Sequence, residues 1–213
     1  MQVITDMYEI KNCRTVFTEN FSDNNRKWEI VDIESEKAEI KSGYYHMENS
    51  SVKNWKYYKT KTGLKENDDF VIDAIIELNK KEDEYRHFGL VWGFDQKREY
   101  LNRFTLSADG RRAVIMQFER NHHIVFHRFH ARKFPRVDTN KPVRFTIIKL
   151  GEYFHLLLNE KKIYMAHALS FCNLGSFAGY YIEPQLSVKS NFFQVKKMKV
   201  QSVTSNGLME LIG

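Results

Sequence analysis

The feature that most constrains this chain is the alternation of apolar and polar residues, which recurs along almost the whole sequence. Val143, Phe145 and Ile147 would share one face of a strand, while Arg144 and Thr146 would share the other. β-Branched and aromatic residues are enriched in such segments, whereas apolar residues at helical spacing over three turns are almost absent. The pattern predicts an all-β chain and argues against an α/β fold.

Many short strands follow from this pattern. They are predicted over residues 16–21, 28–33, 38–41, 44–48, 57–62, 70–78, 88–94, 100–107, 113–119, 124–129, 143–150, 153–158, 161–167, 177–182 and 192–202. Asp109-Gly110, Gly151-Glu152 and Asn159-Glu160 separate neighbouring segments and predict hairpin turns. This number of strands is too large for one open sheet. We therefore predict an antiparallel β-sandwich of two packed sheets.

The composition is consistent with one large core. Hydrophobic residues make up 42% of the 213 residues, and only 3 Pro and 10 Gly occur. No linker-like stretch divides the chain, so we predict a single domain over residues 1–202, followed by an apolar tail over residues 203–213. Cys13 and Cys172 lie far apart and do not indicate a disulfide framework.

The N-terminal residues do not have the pattern of a signal peptide. Met1 to Asp6 lack a basic region followed by an apolar one, and no apolar run approaches the roughly 20 residues of a membrane span. We therefore expect a cytoplasmic protein or, as the alternative, an exported form whose signal has been removed. The formal net charge of +6 favours anionic partners only mildly.

An ordered series of motifs resembles a known superfamily. The series comprises residues 17–24 before Trp28, residues 43–45, 69–74 and 88–93 (Phe-Gly-Leu-Val-Trp-Gly), residues 100–110, 140–147 and 154–159, and residues 175–180. In this order the chain resembles the concanavalin A-like lectin/glucanase superfamily, in particular its laminin-G-like jelly-roll modules of bacterial type. The resemblance implies a two-sheet jelly roll whose relatives bind sugars, act on glycans or serve as accessory modules.

The acidic signature of the glucanase members is not found. Those members carry a strand with a Glu-x-Asp-x-x-Glu pattern, whereas the densest acidic run here, Glu82-Asp83-Glu84, is predicted to be a loop. Asp73 and Glu99 are isolated acids that folding could bring together. No catalytic residue and no cofactor are therefore predicted.

Aromatic and basic residues supply the candidate ligand site. Sugars stack their apolar faces on aromatic rings and form hydrogen bonds with polar side chains. Trp55, Tyr57, Tyr100 and Arg103 are the candidate ligand-binding residues. Trp92 lies inside an apolar run, which indicates a core position.

A basic segment and a histidine group form the second candidate region. Arg128, Arg132, Lys133 and Arg136 lie in a stretch without acids and predict a weak anion patch; the alternative is a solvated loop. His122, His123, His127 and His130 would fall on two faces of a strand, which argues against a metal site. Acids nearly balance bases, so nucleic acid is not the preferred partner.

The tail completes the set of candidates. Leu208, Leu211 and Ile212 follow a turn at Ser205-Asn206-Gly207 and are expected to bind a partner. The function predicted from sequence is a non-catalytic recognition or assembly module that binds a protein partner or a glycan. A glycoside-acting enzyme of the same superfamily is the alternative.

Overall fold

The computed structural model describes residues 8–65, 67–95, 100–119, 122–130, 134–167 and 175–202, and in these ranges the chain is a strand-rich sandwich. The strands are β1 (Tyr8–Glu19), β2 (Val31–Ile33), β3 (Glu36–Lys41), β4 (Tyr44–Asn49), β5 (Lys56–Lys61), β6 (Asp69–Lys81), β7 (His87–Asp95), β8 (Tyr100–Ser107), β9 (Arg112–Glu119), β10 (His122–His130), β11 (Val143–Leu150), β12 (Tyr153–Leu158), β13 (Lys161–His167), β14 (Phe177–Ile182) and β15 (Leu186–Ser202). These ranges contain no helix that could cross a membrane.

The strands form two antiparallel sheets. The nine-stranded sheet has the order β13-β12-β11-β6-β15-β4-β3-β2, with β1 pairing along the second half of β15. The six-stranded sheet has the order β10-β9-β8-β7-β14-β5. The fold class predicted from the alternating pattern, a two-sheet antiparallel β-sandwich, is confirmed.

One continuous core lies between the two sheets. The nine-stranded sheet contributes Phe70, Phe145 and Val195, and the six-stranded sheet contributes Leu90 and Tyr180, all at 1% exposure or less. Trp92 is also fully buried, as its apolar surroundings predicted.

The segment between β1 and β2 departs from the prediction. Residues 28–30 were expected to begin a strand, but β2 begins only at Val31. Trp28 instead packs its ring 5.3 Å from the rings of both Tyr45 and Tyr180, centroid to centroid, and its indole N–H donates to Glu19. A loop residue therefore fills the core at this position, and the aromatic enrichment that suggested a strand reflects burial.

The predicted turns have the backbone that hairpins require. Asn159 and Glu160 have φ values of 47° and 67°, the left-handed pair that a two-residue hairpin needs. Gly110 has a φ of 71°, and its amide donates to the carbonyl of Ser107 at 2.8 Å. These local signals fix the β12–β13 and β8–β9 connections.

Candidate functional site

The outer face of the six-stranded sheet carries a second group of apolar side chains. Alternation sends Tyr58 and Tyr180 into the main core, whereas their neighbours Tyr57 and Tyr181 point away from it. The side chains on this outer face form a cluster of their own, which contains Val91, Phe94, Leu101 and Tyr181, with Trp55, Tyr57 and Phe177 packed against them.

Pairing of three strands brings the aromatic rings together. β14 lies between β5 and β7, so Tyr181 is directly opposite Tyr57 on one side and Gly89 on the other. The ring centroid of Trp55 lies 5.5 Å from that of Tyr57 and 5.7 Å from that of Tyr181. The Phe94 ring continues the row, 5.3 Å from Tyr57.

Two cations lie on these rings. The guanidinium of Arg103 is 4.4 Å from the ring centre of Tyr181, and Arg103 also donates to the Tyr181 hydroxyl. The ammonium of Lys59 is 4.6 Å from the ring centre of Tyr57 and 4.2 Å from that of Phe94. Burial lowers the pKa of Lys59, and the charge of Glu29 opposes this shift.

The aromatic rings of the outer face and the two cations on them form one surface. We call it the aromatic surface, and it comprises Trp55, Tyr57, Lys59, Phe94, Arg103, Phe177 and Tyr181.

A carboxylate at the edge of the aromatic surface orients its central tyrosine. The Tyr181 hydroxyl donates to Glu183 at 3.3 Å, and the other oxygen of Glu183 accepts from the backbone amide of His87 at 2.9 Å. Burial by itself raises the pKa of Glu183, but the interactions with His87 and the charge of Arg103 outweigh it and hold this pKa below its usual value. Burial also raises the pKa of Tyr181, so its hydroxyl stays protonated.

Two glycines shape the face beside the rings. A Cβ atom on Gly179 would lie 1.9 Å from the carbonyl oxygen of Tyr58, and one on Gly89 would lie 2.2 Å from that of Phe104. Neighbouring backbones approach so closely that no side chain can project from either position. The outer face therefore has no side chain at the position before Val91 on β7 or at the position before Tyr181 on β14.

The structure brings together three of the four candidate ligand-binding residues. Trp55, Tyr57 and Arg103 are all partly exposed members of the aromatic surface. Tyr100 is only 2% exposed, and its hydroxyl donates to the buried Asn102 at 3.3 Å. The structure does not bring Tyr100 together with the other three residues: on β8 the odd positions face outward, so Tyr100 faces the opposite way from Arg103.

Sequence reasoning missed Tyr181, Phe177, Phe94 and Lys59. Phe177, Gly179 and Tyr181 alternate with Ala178, Tyr180 and Ile182, so β14 could have been recognised as a strand with two apolar faces. Which face joins Trp55 depends on the pairing of β14 with β5, more than a hundred residues apart in sequence. No local signal provides that pairing.

The basic segment falls largely outside the described side chains. Arg132 and Lys133 lie outside the described residues, and Arg128 lies on β10, where the backbone alone is described. Arg136 is exposed and its Nε donates to the carbonyl of Asp109 at 3.1 Å. The anion patch stays a prediction.

The histidine and tail candidates are placed only in part. His122, His123, His127 and His130 lie on β10, where the pairing register shifts between Val125 and His127, so strict alternation does not continue through the strand. Among the described residues, no group of three His, Cys, Asp or Glu could hold a metal ion. Leu208, Leu211 and Ile212 lie outside the described residues, as does Cys172.

Asp73, one of the two isolated acids, does not join the aromatic surface. Asp73 lies on β6 of the nine-stranded sheet, where it accepts hydrogen bonds from Arg144 Nε at 2.9 Å and from the Thr146 hydroxyl at 3.0 Å. Glu99 lies outside the described residues. The run from Glu82 to Glu84 lies in the connection between β6 and β7, as predicted.

The comparisons with known proteins establish the fold. No protein-family model and no curated protein sequence matches the chain. A Bacillus subtilis protein of unknown function with a galectin-like fold is 11% identical, with 90% of this chain and 99% of that chain covered and a TM-score of 0.63. The CBM2 module of the evolved Dit of Lactobacillus casei BL23 phage J-1 is 9% identical over 89% and 97% of the two chains, with a TM-score of 0.57.

An enzyme domain has the same architecture. The catalytic domain of an endo-1,3-β-glucanase (laminarinase) from Thermotoga petrophila RKU-1 is 10% identical, with 88% of this chain and 99% of that chain covered and a TM-score of 0.56. At such identities the likeness shows the fold alone. The fold is the jelly-roll β-sandwich that these galectin-like, CBM2 and glucanase structures share, and it is the fold that the sequence resemblance implied.

Proposed function

We propose that this protein is a non-catalytic recognition module that binds a glycan across the aromatic surface. The observation that carries the proposal is the partly exposed pair Trp55 and Tyr57, held on one sheet face beside Arg103 and Lys59. A sugar ring has apolar C–H faces that stack on aromatic rings and hydroxyl groups around its rim. The aromatic surface offers both kinds of contact at neighbouring positions.

The polar contacts favour a ligand that accepts hydrogen bonds. Arg103 and Lys59 carry only donors. The hydroxyl oxygens of a neutral sugar, or the carboxylate of an acidic one, would complement these two groups. Because both cations already lie on aromatic rings, their positions are fixed before a ligand arrives, which reduces the entropic cost of binding.

The described part of the surface favours recognition over hydrolysis. A glycosidase needs two carboxyl groups, about 5 to 5.5 Å apart in retaining enzymes and about 6.5 to 9.5 Å apart in inverting ones. Glu183 is the one carboxylate that the described residues place against Tyr181 and Arg103, and it is bound to His87. The fold itself is compatible with either function, since the similar structures include a CBM2 module and a glucanase domain.

A binding series on soluble polysaccharides tests the proposal. Affinity electrophoresis or calorimetry with neutral xylan and laminarin and with acidic polygalacturonate should detect binding by the unaltered protein. Trp55→Ala should weaken it about tenfold, because removing one stacking ring costs about 1.4 kcal/mol. Tyr85→Ala is the matched control, since Tyr85 is 64% exposed and its ring contacts Arg112, at 4.0 Å from the ring centre, which is not a residue of the aromatic surface.

The outcomes separate the alternatives. Loss of binding in Trp55→Ala with full binding in Tyr85→Ala supports glycan recognition at this surface. No binding to any polysaccharide would contradict the proposal and favour a protein partner. Release of reducing ends during the incubation would favour the glycoside-acting enzyme.

A further inference from the structure

A basic cleft lies on the nine-stranded sheet, apart from the aromatic surface. It has a volume of about 340 Å³ and is lined by Asn12, Arg14, Asp68, Lys197, Met198 and Lys199. Lys197 and Lys199 continue the face of β15 that carries Phe193 and Val195 in the core. At these positions β15 bears cations where apolar residues would have extended the core.

The pairing of β1 with β15 places like charges directly opposite each other. Arg14 is the cross-strand partner of Lys197, and Asn12 is the partner of Lys199. Like charges in such a pair destabilise a sheet, since their Cβ atoms lie only about 4.5 to 5.5 Å apart. This repulsion either lowers the stability of the folded chain or is compensated by a bound anion.

One carboxylate offsets only part of the charge. Asp68 Oδ2 lies 2.6 Å from the ammonium of Lys197 and accepts the backbone amide of Lys65 at 2.7 Å. Within the described ranges, Arg14 and Lys199 have no ion-pair partner. The cleft therefore holds three cations and one carboxylate. Asp68 neutralises the charge of Lys197 but leaves Arg14 and Lys199 uncompensated.

We propose that this cleft binds a phosphate or sulfate group. The planar guanidinium of Arg14 can form two parallel hydrogen bonds to such a group, the ammonium of Lys199 acts as a second charge, and the Asn12 amide supplies a neutral donor. A doubly charged tetrahedral oxyanion compensates both unpaired cations at once, whereas a single carboxylate compensates one. The site is independent of the glycan-binding proposal.

Thermal unfolding in inorganic phosphate tests the site. With ionic strength held constant by sodium chloride, phosphate should raise the melting temperature of the unaltered protein, because a ligand that binds the folded state stabilises it. Arg14→Gln and Lys199→Gln should each abolish this rise. Without phosphate and at low salt, Arg14→Gln should melt at a higher temperature than the unaltered protein, because the repulsion from Lys197 is removed.

A matched control and a second ligand complete the design. Lys53→Gln makes the same change of charge at an exposed loop position and should keep the full phosphate response. Polyphosphate distinguishes a free anion from a group carried on a polymer: a larger rise at equal phosphate concentration indicates the polymer. Near-ultraviolet circular dichroism verifies that each variant is folded.

The proposal is overturned by either of two results. One is an unaltered protein whose melting temperature responds to neither phosphate nor polyphosphate. The other is an equal response in the cleft variants and in Lys53→Gln, which would show general screening of the net positive charge. A response confined to proteins that retain Arg14 and Lys199 supports the site.

Discussion

Glu183 is the residue through which the aromatic surface is tied to the rest of the six-stranded sheet. It lies directly after β14 and accepts hydrogen bonds from Tyr181 on that strand and from the backbone of His87 on β7. Its side chain is only 20% exposed, so these bonds replace most of the water that a free carboxylate would have. A neutral side chain at this position would leave the donors of His87 and Tyr181 with a weaker acceptor.

Glu183→Gln should destabilise the protein in a pH-dependent way. Because the pKa of Glu183 is lowered in the folded state, the stabilisation is fully present above the pKa of the unfolded chain and is lost as the pH falls through the folded value. We expect the free energy of unfolding at pH 7 to fall by about 1.5 to 3 kcal/mol, the usual contribution of hydrogen bonds to a charged group. Urea unfolding of both proteins at pH 7 and near pH 3 measures the difference in the free energy of unfolding.

The free energies of unfolding of the unaltered protein and of Glu183→Gln should converge at the lower pH. An equal difference at both pH values would show that the ionisation of Glu183 does not contribute, and that the amide acts through altered packing. Tyr181 would remain protonated throughout this range, because its pKa is raised.

Residue type alone selected Trp55, Tyr57 and Arg103, which lie on one surface, and also Tyr100, which does not. The distinction lies in strand parity, which a single slip of register reverses. Tyr100 begins β8, and one position decides whether its ring turns inward to Asn102 or outward beside Arg103.

At the scale of strands, β14 determines the geometry of the aromatic surface. Its outward residues Phe177 and Tyr181 flank Gly179, and its pairing with β5 and β7 brings Trp55 and Phe94 to them. Gly179 allows this because the backbone of β5 lies where a Cβ atom would be.

Gly179→Ala should therefore distort β14 and reduce stability. The added Cβ would lie 1.9 Å from a backbone oxygen, which cannot rotate away as a side chain can, and forced overpacking of this kind typically costs about 1 to 3 kcal/mol. Chemical denaturation measures the loss of stability. Gly63→Ala is the comparison: Gly63 has a φ of 74° and no atom within 4 Å of its Cβ position, so it measures backbone strain alone. Equal costs at both positions would contradict the steric explanation.

The bounds of β8, β11, β12, β13 and β14 were predicted correctly, because each has local alternation and a turn at one end. β15 was predicted to begin at Phe192 but begins at Leu186, since register shifts between Ser187 and Val188 and between Ser190 and Phe192 interrupt the alternation. The sheet order places β15 between β6 and β4, and these contacts are remote in sequence. Alternation specifies that a strand exists, but not its neighbours.

For the whole molecule, the main connection is the pairing of the first and last strands. β1 and β15 are antiparallel partners from Tyr8 opposite Ser202 to Glu19 opposite Phe193, so the two ends of the described chain lie side by side. Bringing residues so distant in sequence together costs loop entropy, which the paired strands must offset. The pair also forms one wall of the basic cleft.

Removing residues 1–15 should destabilise the entire sandwich rather than fray one end. The deletion takes away the backbone partners of β15 from Lys196 to Ser202, and losing several hydrogen bonds of about 1 kcal/mol each should lower the melting temperature on the order of 10 °C. The uncovered edge of β15 should also promote self-association, because unpaired backbone groups can accept a strand from another molecule. Scanning calorimetry measures the melting temperature, and sedimentation measures self-association.

A deletion of residues 1–7, which removes none of the described pairs, should change neither the melting temperature nor self-association. If the longer deletion melts at the same temperature as the shorter one, the first eight residues of β1 make no net contribution to stability. In that case the repulsion between Arg14 and Lys197 would offset the backbone hydrogen bonds of these residues.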